Sequence, residues 1–381
     1  MKNRVIVYVM VAMLLLTLVL SGCGARESGT SGTVGGDVAS SVGDAHGVGD
    51  GNSNGDRNAD NSGSGAARTF DIVCTIFPQY DWTRQILGDN ADHMRLSLLL
   101  DSRIDMHNYQ PSVDDIVRIS TCDLFIYVGG SSDAWVEGVL KDAMNQDMLV
   151  LNLLDVLGDA VKYEEIIEGM EHDDHDHDDD DHDHDQDHDH DEDEHDEDEH
   201  EADYDEHVWL SLHNAKLFSA VIADALAALD VEHAQAYRAN LAAYVAQLDA
   251  LDATYQRAVS AASVRTLLFG DRFPFRYLVD DYGIAYYAAF PGCSAETEAS
   301  FETIVFLVRK MDELRLQNIL VTESGDKRIA ETIARESAIA EPQILVLDAM
   351  QSVSTRDVAD GISYLAIMER NLDVLKEALG S

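Results

Sequence analysis

The stretch RTLLFGDRFPFRYLVDDYGIAYYAAF, Arg265 to Phe290, carries in one unbroken run the pattern that decides the fold. Arg265–Phe269 is short and apolar, as a buried strand requires. Phe275–Tyr282 reads as a helix, and Ala285–Phe290 reads as a strand again. A strand, a helix and a strand joined this closely make a parallel α/β unit. The alternation continues downstream. Ser300–Glu313 is helical, Asn318–Thr322 (NILVT) a strand, Asp326–Ser337 a helix and Gln343–Leu347 (QILVL) a strand. Asp357–Leu379 reads as one closing helix.

Upstream, Asn214–Leu229 reads as a helix, and Asp230 can cap a longer one from Val231 to about Val259. Its apolar positions are Tyr237, Leu241, Tyr244, Leu248, Leu251, Tyr255 and Val259, spaced by three and four. At 1.5 Å per residue such a helix is roughly 43 Å long, enough to run along two lobes. The first half of the chain repeats the alternation. Phe70–Phe77, Arg95–Leu100, Asp123–Val128 and Met148–Leu153 read as strands. Helices fall at Asp81–Leu87, after Ser112, and at Ala134–Met144. The expected fold is therefore α/β with two lobes. Each is a mostly parallel sheet flanked by helices, and one long helix joins them across a cleft. The expected boundaries are 69–229 for the first lobe, 230–262 for the connecting helix and 263–381 for the second lobe.

Between Glu171 and Glu206 the chain places 24 Asp and Glu, nine His and no Lys or Arg. No packed core can be built from such a stretch, because like charges repel and stay solvated. Acid alone explains a spacer but not a His at nearly every second or third position. Imidazole suits zinc, copper and nickel, so the loop reads as a metal collector without fixed geometry. The formal net charge of the whole chain is −46, and the loop supplies 24 of it. The remainder is still acidic, which excludes nucleic acid as a natural partner.

Residues 1–22 read as an export signal, with Lys2 and Arg4 ahead of an apolar run from Val5 to Leu20. That run is short for a membrane span. Leu20-Ser21-Gly22-Cys23 resembles the bacterial lipoprotein box, which would make Cys23 the lipidated first residue of the mature chain. Residues 23–68 are rich in Gly, Ser, Asp and Asn and read as a flexible tether with an rms reach of roughly 40 Å. Cys74, Cys122 and Cys293 form no CxxC pair, so a zinc ribbon is excluded. In an exported protein one disulfide and one free thiol can be drawn from them, in any pairing.

Outside the loop and the tether only five His remain: His93, His107, His207, His213 and His233. His107 and His207 follow a strand or loop and precede a helix, where α/β lobes present ligands. His93 and His233 flank helices in polar surroundings and read as surface residues; His213, six residues after His207, reads either as a member of the same site or as a structural residue.

The motifs TIFPQYDW (75–82), MHNYQPSVDDI (106–116), DLFIYVGG (123–130) and HVWL (207–210) occur in that order. A Tyr-Gly helix end follows at 282–283, and Asp348 follows a late strand. Together they resemble the solute-binding lipoproteins of bacterial zinc and manganese ABC importers, over residues 70–381. The resemblance implies an extracytoplasmic, monomeric protein that is lipid-anchored to the cell membrane. It would capture Zn2+, or alternatively Mn2+ or Fe2+, and deliver it to an ABC permease and its ATPase. It also implies His107, His207 and Asp348 as metal ligands, and with Asp271 in the third place the candidate site is His107, His207, Asp271 and Asp348. Glu323, at the end of the neighbouring strand, reads either as an acceptor that orients a ligating His or as a helix N-terminal acid. The third position departs from the pattern. Alignment puts Arg272 there, which cannot ligate, so Asp271 is the nearest donor; alternatively it caps a helix or pairs with Arg272. A surface metal-storage or adhesin protein is a competing reading. A zinc hydrolase is another, but the chain has no HExxH, and its single GxSxG match, at 51–55, lies in the Gly/Ser-rich tether and not on a strand-to-helix turn, so an enzyme is not expected.

Overall fold

The computed structural model describes residues 68–90, 92–101, 105–171, 203–294 and 298–381. The leader 1–22, Cys23, the tether to residue 67 and the acidic loop from 172 to 202 lie outside the described residues.

The first lobe is built on four strands: β1 (Phe70–Cys74), β2 (Met94–Leu98), β3 (Leu124–Tyr127) and β4 (Leu149–Asn152). They pair in the order β2-β1-β3-β4, every pair parallel. The second lobe uses β5 (Thr266–Phe273), β6 (Ala285–Pro291), β7 (Asn318–Thr322) and β8 (Gln343–Leu347). Its order is β6-β5-β7-β8, again all parallel. The two sheets thus share one topology. In each, the order reverses beside the first strand, and ligands of open α/β sheets bind beyond the carboxyl ends of the strands at such a point.

The flanking helices are α1 (Phe77–Leu87), α2 (Val113–Thr121), α3 (Trp135–Lys141) and α4 (Leu153–Leu157) in the first lobe. Then come α5 (Leu212–Leu229) and the connecting α6 (Ala234–Ala261). The second lobe adds α7 (Arg276–Tyr282), α8 (Phe301–Leu314), α9 (Arg328–Glu336), α10 (Thr355–Ala359) and α11 (Tyr364–Leu379). Helix α6 buries Tyr237, Tyr244, Leu248, Leu251, Tyr255 and Val259, the face its apolar spacing defines.

One hydrophobic core runs from β1 and β3 through α5 and α6 to β5 and α11. A smaller one, around Leu268, Leu307, Ile319 and Ile333, fills the other face of the second sheet. The closing segment ties the lobes together. Asp81 on α1 is fully buried; its carboxylate accepts from Tyr364 N at 2.8 Å and from Arg84 at 2.5 Å. Tyr364 OH donates to Trp209 O at 2.7 Å, and Tyr255 OH donates to Met368 O at 2.6 Å. Trp82 packs edge-on to Tyr364, with ring centroids 5.2 Å apart.

The structure corrects the single closing helix over Asp357–Leu379. The segment is two helices, α10 and α11, broken at Gly361, whose φ of 95° no regular helix accepts. Ser354 and Ser363 cap the two pieces, accepting from Asp357 N and Ala366 N. Helical periodicity runs through such a break unseen. Of the possibilities open to the three cysteines, no disulfide is formed: Cys74, Cys122 and Cys293 are all free thiols.

Asp81→Ala should destabilise the protein by about 3 kcal/mol, the lower end for breaking a buried charged pair, because Arg84 keeps partial access to water. Urea denaturation should show a lower midpoint with an unchanged slope.

Candidate metal centre

His107 lies in a single 3-10 turn, Met106–Asn108, beyond the carboxyl end of β2. Asp105 opens that turn and accepts from His107 N at 3.1 Å. Its second oxygen receives Arg272 Nη2 at 2.7 Å. His107 and Arg272, against the opposing effect of burial, hold this carboxyl below its ordinary range. His207 enters where the acidic loop rejoins the first lobe, immediately before α5. Asp205 accepts from both its backbone N, at 2.9 Å, and its ring Nδ1, at 3.1 Å. A carboxylate on Nδ1 fixes the proton there and leaves Nε2 with its lone pair exposed.

The two Nε2 atoms meet 3.2 Å apart. His207 is fully buried, and the His107 side chain is nearly so. Burial, and next the proximity of His207, push His107 down to about 3, so it stays neutral at physiological pH. Two facing imidazole nitrogens share one proton, and a metal ion can replace it. His107 then needs an acceptor for its Nδ1 proton, and two are in place. Ser132 Oγ lies 2.8 Å from Nδ1. Glu206 Oε2 lies 3.5 Å away, buried and without a hydrogen bond, while Oε1 accepts from Ser132 N at 2.9 Å. An orphaned buried carboxylate oxygen is costly unless a charge or proton arrives beside it.

The third candidate donor is Cys293. It follows β6 as His107 follows β2, at the matching position of the second sheet. Its Sγ and the His107 and His207 donor atoms all lie within 4.8 Å of one another. Gly292 permits the approach: a Cβ there would sit 3.2 Å from the His207 ring and 2.9 Å from Phe273 O. Gln351, beyond β8, brings its side-chain amide to 3.0 Å from His207 Nε2.

Neither carboxylate expected in the site belongs to this group. Asp271 is buried within β5 and turned to β7, where its Oδ2 accepts from Thr322 N at 2.8 Å and Thr322 Oγ1 at 2.6 Å. Asp348 accepts from Met350 N at 2.8 Å and lies 3.8 Å from Arg370. Glu323 touches neither imidazole. It accepts from Ala349 N and Gln351 N and so holds the turn that presents Gln351. His213 sits between Asp252 and Asp281, as a structural residue would.

Sequence reasoning missed Cys293, Glu206, Ser132 and Gln351. For Cys293 a signal existed: it stands just past the strand read at Ala285–Phe290, where such lobes present ligands.

The second group of candidate donors among the described residues is His93, Asp230 and His233. His93 and His233 are half-buried and share one buried carboxylate. Asp230 Oδ2 accepts from His93 Nε2 at 2.7 Å, His233 Nδ1 at 2.8 Å and Tyr237 OH at 2.6 Å. The cluster ties the chain ahead of β2 to the turn between α5 and α6, a structural role.

Two all-parallel lobes joined by a long helix bring converging imidazoles together in a candidate transition-metal site. The chain matches the family described as zinc-uptake complex component A, periplasmic, over residues 72–378, and belongs to that family. It is 28% identical over 309 residues to the zinc-binding lipoprotein AdcA of Streptococcus pneumoniae serotype 4, covering 81% of this chain and 55% of that protein. The chain therefore spans about half the length of the AdcA proteins it matches. It is also 28% identical over 308 residues to the high-affinity zinc uptake system protein ZnuA of Bacillus subtilis, covering 81% of this chain and 87% of that one. In fold it is similar to the Zn(II)-bound ZnuA-like domain of Streptococcus pneumoniae AdcA. That likeness has a TM-score of 0.60 at 24% identity, covering 82% of this chain and 100% of that domain.

Two predictions follow from these geometries. Glu206→Gln removes the charge facing His107 Nδ1 and should weaken zinc binding roughly 10–100-fold, as changes behind a ligating His do; calorimetric titration measures it. Asp230 is held near a pKa of about 2, because hydrogen bonds from Tyr237, His93 and His233 outweigh the opposing effect of burial. A depressed carboxylate adds stability above its unfolded pKa and loses it as pH falls through the folded value. The stability advantage of the native chain over Asp230→Asn should therefore shrink between about pH 4 and pH 2, in denaturation midpoints compared across that range.

Proposed function

We propose that this protein is the extracytoplasmic zinc-capturing component of an ABC importer and hands Zn2+ to a membrane permease driven by its ATPase. The observation that carries this reading is the pair of Nε2 atoms 3.2 Å apart, each with a partner waiting behind it on Nδ1. Such a pair is built for a cation of the later first row, which favours imidazole over water. Membership of a zinc-uptake family supports the same cargo. The names of the relatives in Streptococcus pneumoniae and Bacillus subtilis agree with it.

In this reading residues 1–22 direct export, Cys23 carries the lipid anchor and 23–68 tether the lobes to the cell membrane. The lobes comprise 69–229 and 263–381, joined through 230–262. The protein acts as a monomer and a carrier, not an enzyme. The loop from 171 to 206 gathers ions loosely, and the cleft takes one tightly. The sequence rejoins the lobe directly at Asp205-Glu206-His207, so ions concentrated by the loop arrive beside the buried pair.

Zinc titration under a competing chelator tests the reading. Protein lacking 172–202 should keep one tight site. His107→Ala or His207→Ala should each lower its affinity by more than about 100-fold, beyond the usual cost of an indirect change. Loss of all tight binding with the loop would instead favour a storage role. Unchanged affinity in both variants would refute the site.

A further inference from the structure

We propose that Cys293 supplies the third metal-ligating atom as a thiolate, giving a His2Cys site that favours zinc and other thiophilic ions over manganese. The proposal rests on the zinc-capture reading and specifies its donor set.

Three observations support it. The first is convergence: Sγ and the two imidazole donors all lie within 4.8 Å of one another. Zinc–sulfur bonds of about 2.3 Å and zinc–nitrogen bonds of about 2.0–2.1 Å put tetrahedral donors roughly 3.5 Å apart, so only small side-chain shifts are needed. The second is exclusion. Asp271 is committed to Thr322, and a Cβ at Gly325 would fall 1.7 Å from its Oδ2, so the carboxylate is packed into that turn. It has no free path to the His pair. The third is anchorage. Cys293 N donates to Glu164 Oε1 at 2.7 Å. Arg272 donates to Ser294 O at 3.3 Å and to Asp105 Oδ2 at 2.7 Å. Asp105 in turn caps the His107 turn, so one guanidinium spans from the Cys293 loop to the His107 loop. The residue that cannot ligate thereby holds two that can.

Coordination exchanges the S–H bond for an S–metal bond and releases one proton to solvent. Thiolate is a soft donor that suits zinc and cadmium, whereas manganese prefers oxygen ligands. Two imidazoles and a thiolate leave a fourth tetrahedral position, on the side where Gln351 lies.

The test is absorption spectroscopy on the full chain with one equivalent of Co2+ or Cd2+, alongside zinc and manganese titrations. The native protein should show a thiolate-to-metal charge-transfer band at the first equivalent. Cys293→Ser should abolish the band and lower zinc affinity by at least about 10–100-fold. Cys293→His should lose the band, keep most zinc affinity and bind manganese better relative to zinc. Asp271→Asn should leave the band in place. The native spectrum requires no variant, so a folding defect cannot mask the answer. A native protein that binds zinc through His107 and His207 without such a band overturns the thiolate and leaves the capture reading standing. First-equivalent binding indifferent to both His residues overturns both.

Discussion

Two imidazole nitrogens held 3.2 Å apart inside a protein repel unless a proton or a cation lies between them. In water each would find its own partner. Here His207 is fully buried, and Asp205 has already fixed the proton on its far nitrogen. The lone pair that remains faces His107 and the Gln351 amide, and a proton or a cation can bridge the two rings. This constraint organises what surrounds it: Asp205 and Glu206 directly before His207, Ser132 behind His107, and Gly292 where any side chain would strike the His207 ring.

Setting Cys293 and Gln351 beside that pair requires both lobes to be fixed against each other. The connecting helix α6 contributes length, but the tighter link is the return of the chain end. Helix α11 starts with Tyr364 docked on Asp81, and its hydroxyl reaches Trp209, two residues past His207. Trp209 also donates to Ala349 O, just before the turn that carries Gln351. The aromatic contacts around Trp82 bury this joint. The floor of the site and the seam between the lobes are therefore one packed structure.

The shared topology of the two sheets explains why donors arrive in pairs. His107 lies beyond β2 and Cys293 beyond β6, which hold the same place in their sheets. Gln351 lies beyond β8. Each is a loop residue at the carboxyl end of a strand, where an open sheet leaves side chains free to meet across a cleft. Asp271 stands inside β5 itself, and that is why it turns to the neighbouring strand instead. Its partner Thr322 ends β7, so the sheet hydrogen-bonding pattern brings the two together.

Much of this protein was legible in the sequence. Strands short enough to be buried, alternating with helices, fix a parallel α/β arrangement because few other packings bury such a pattern. The apolar spacing of α6 named its buried face residue by residue. His107 and His207 stood out because so few His lie outside the acidic loop. What sequence could not decide was every choice that depends on distance through space. Asp271, Asp348 and Cys293 are all plausible donors along the chain, and only the direction each side chain takes from its strand separates them. The Asp230 cluster was invisible for the same reason, since His93 lies 137 residues from its acceptor. Periodicity and composition report local preference, whereas a metal site is a meeting of atoms from distant segments, and only the packed core brings them within bonding range.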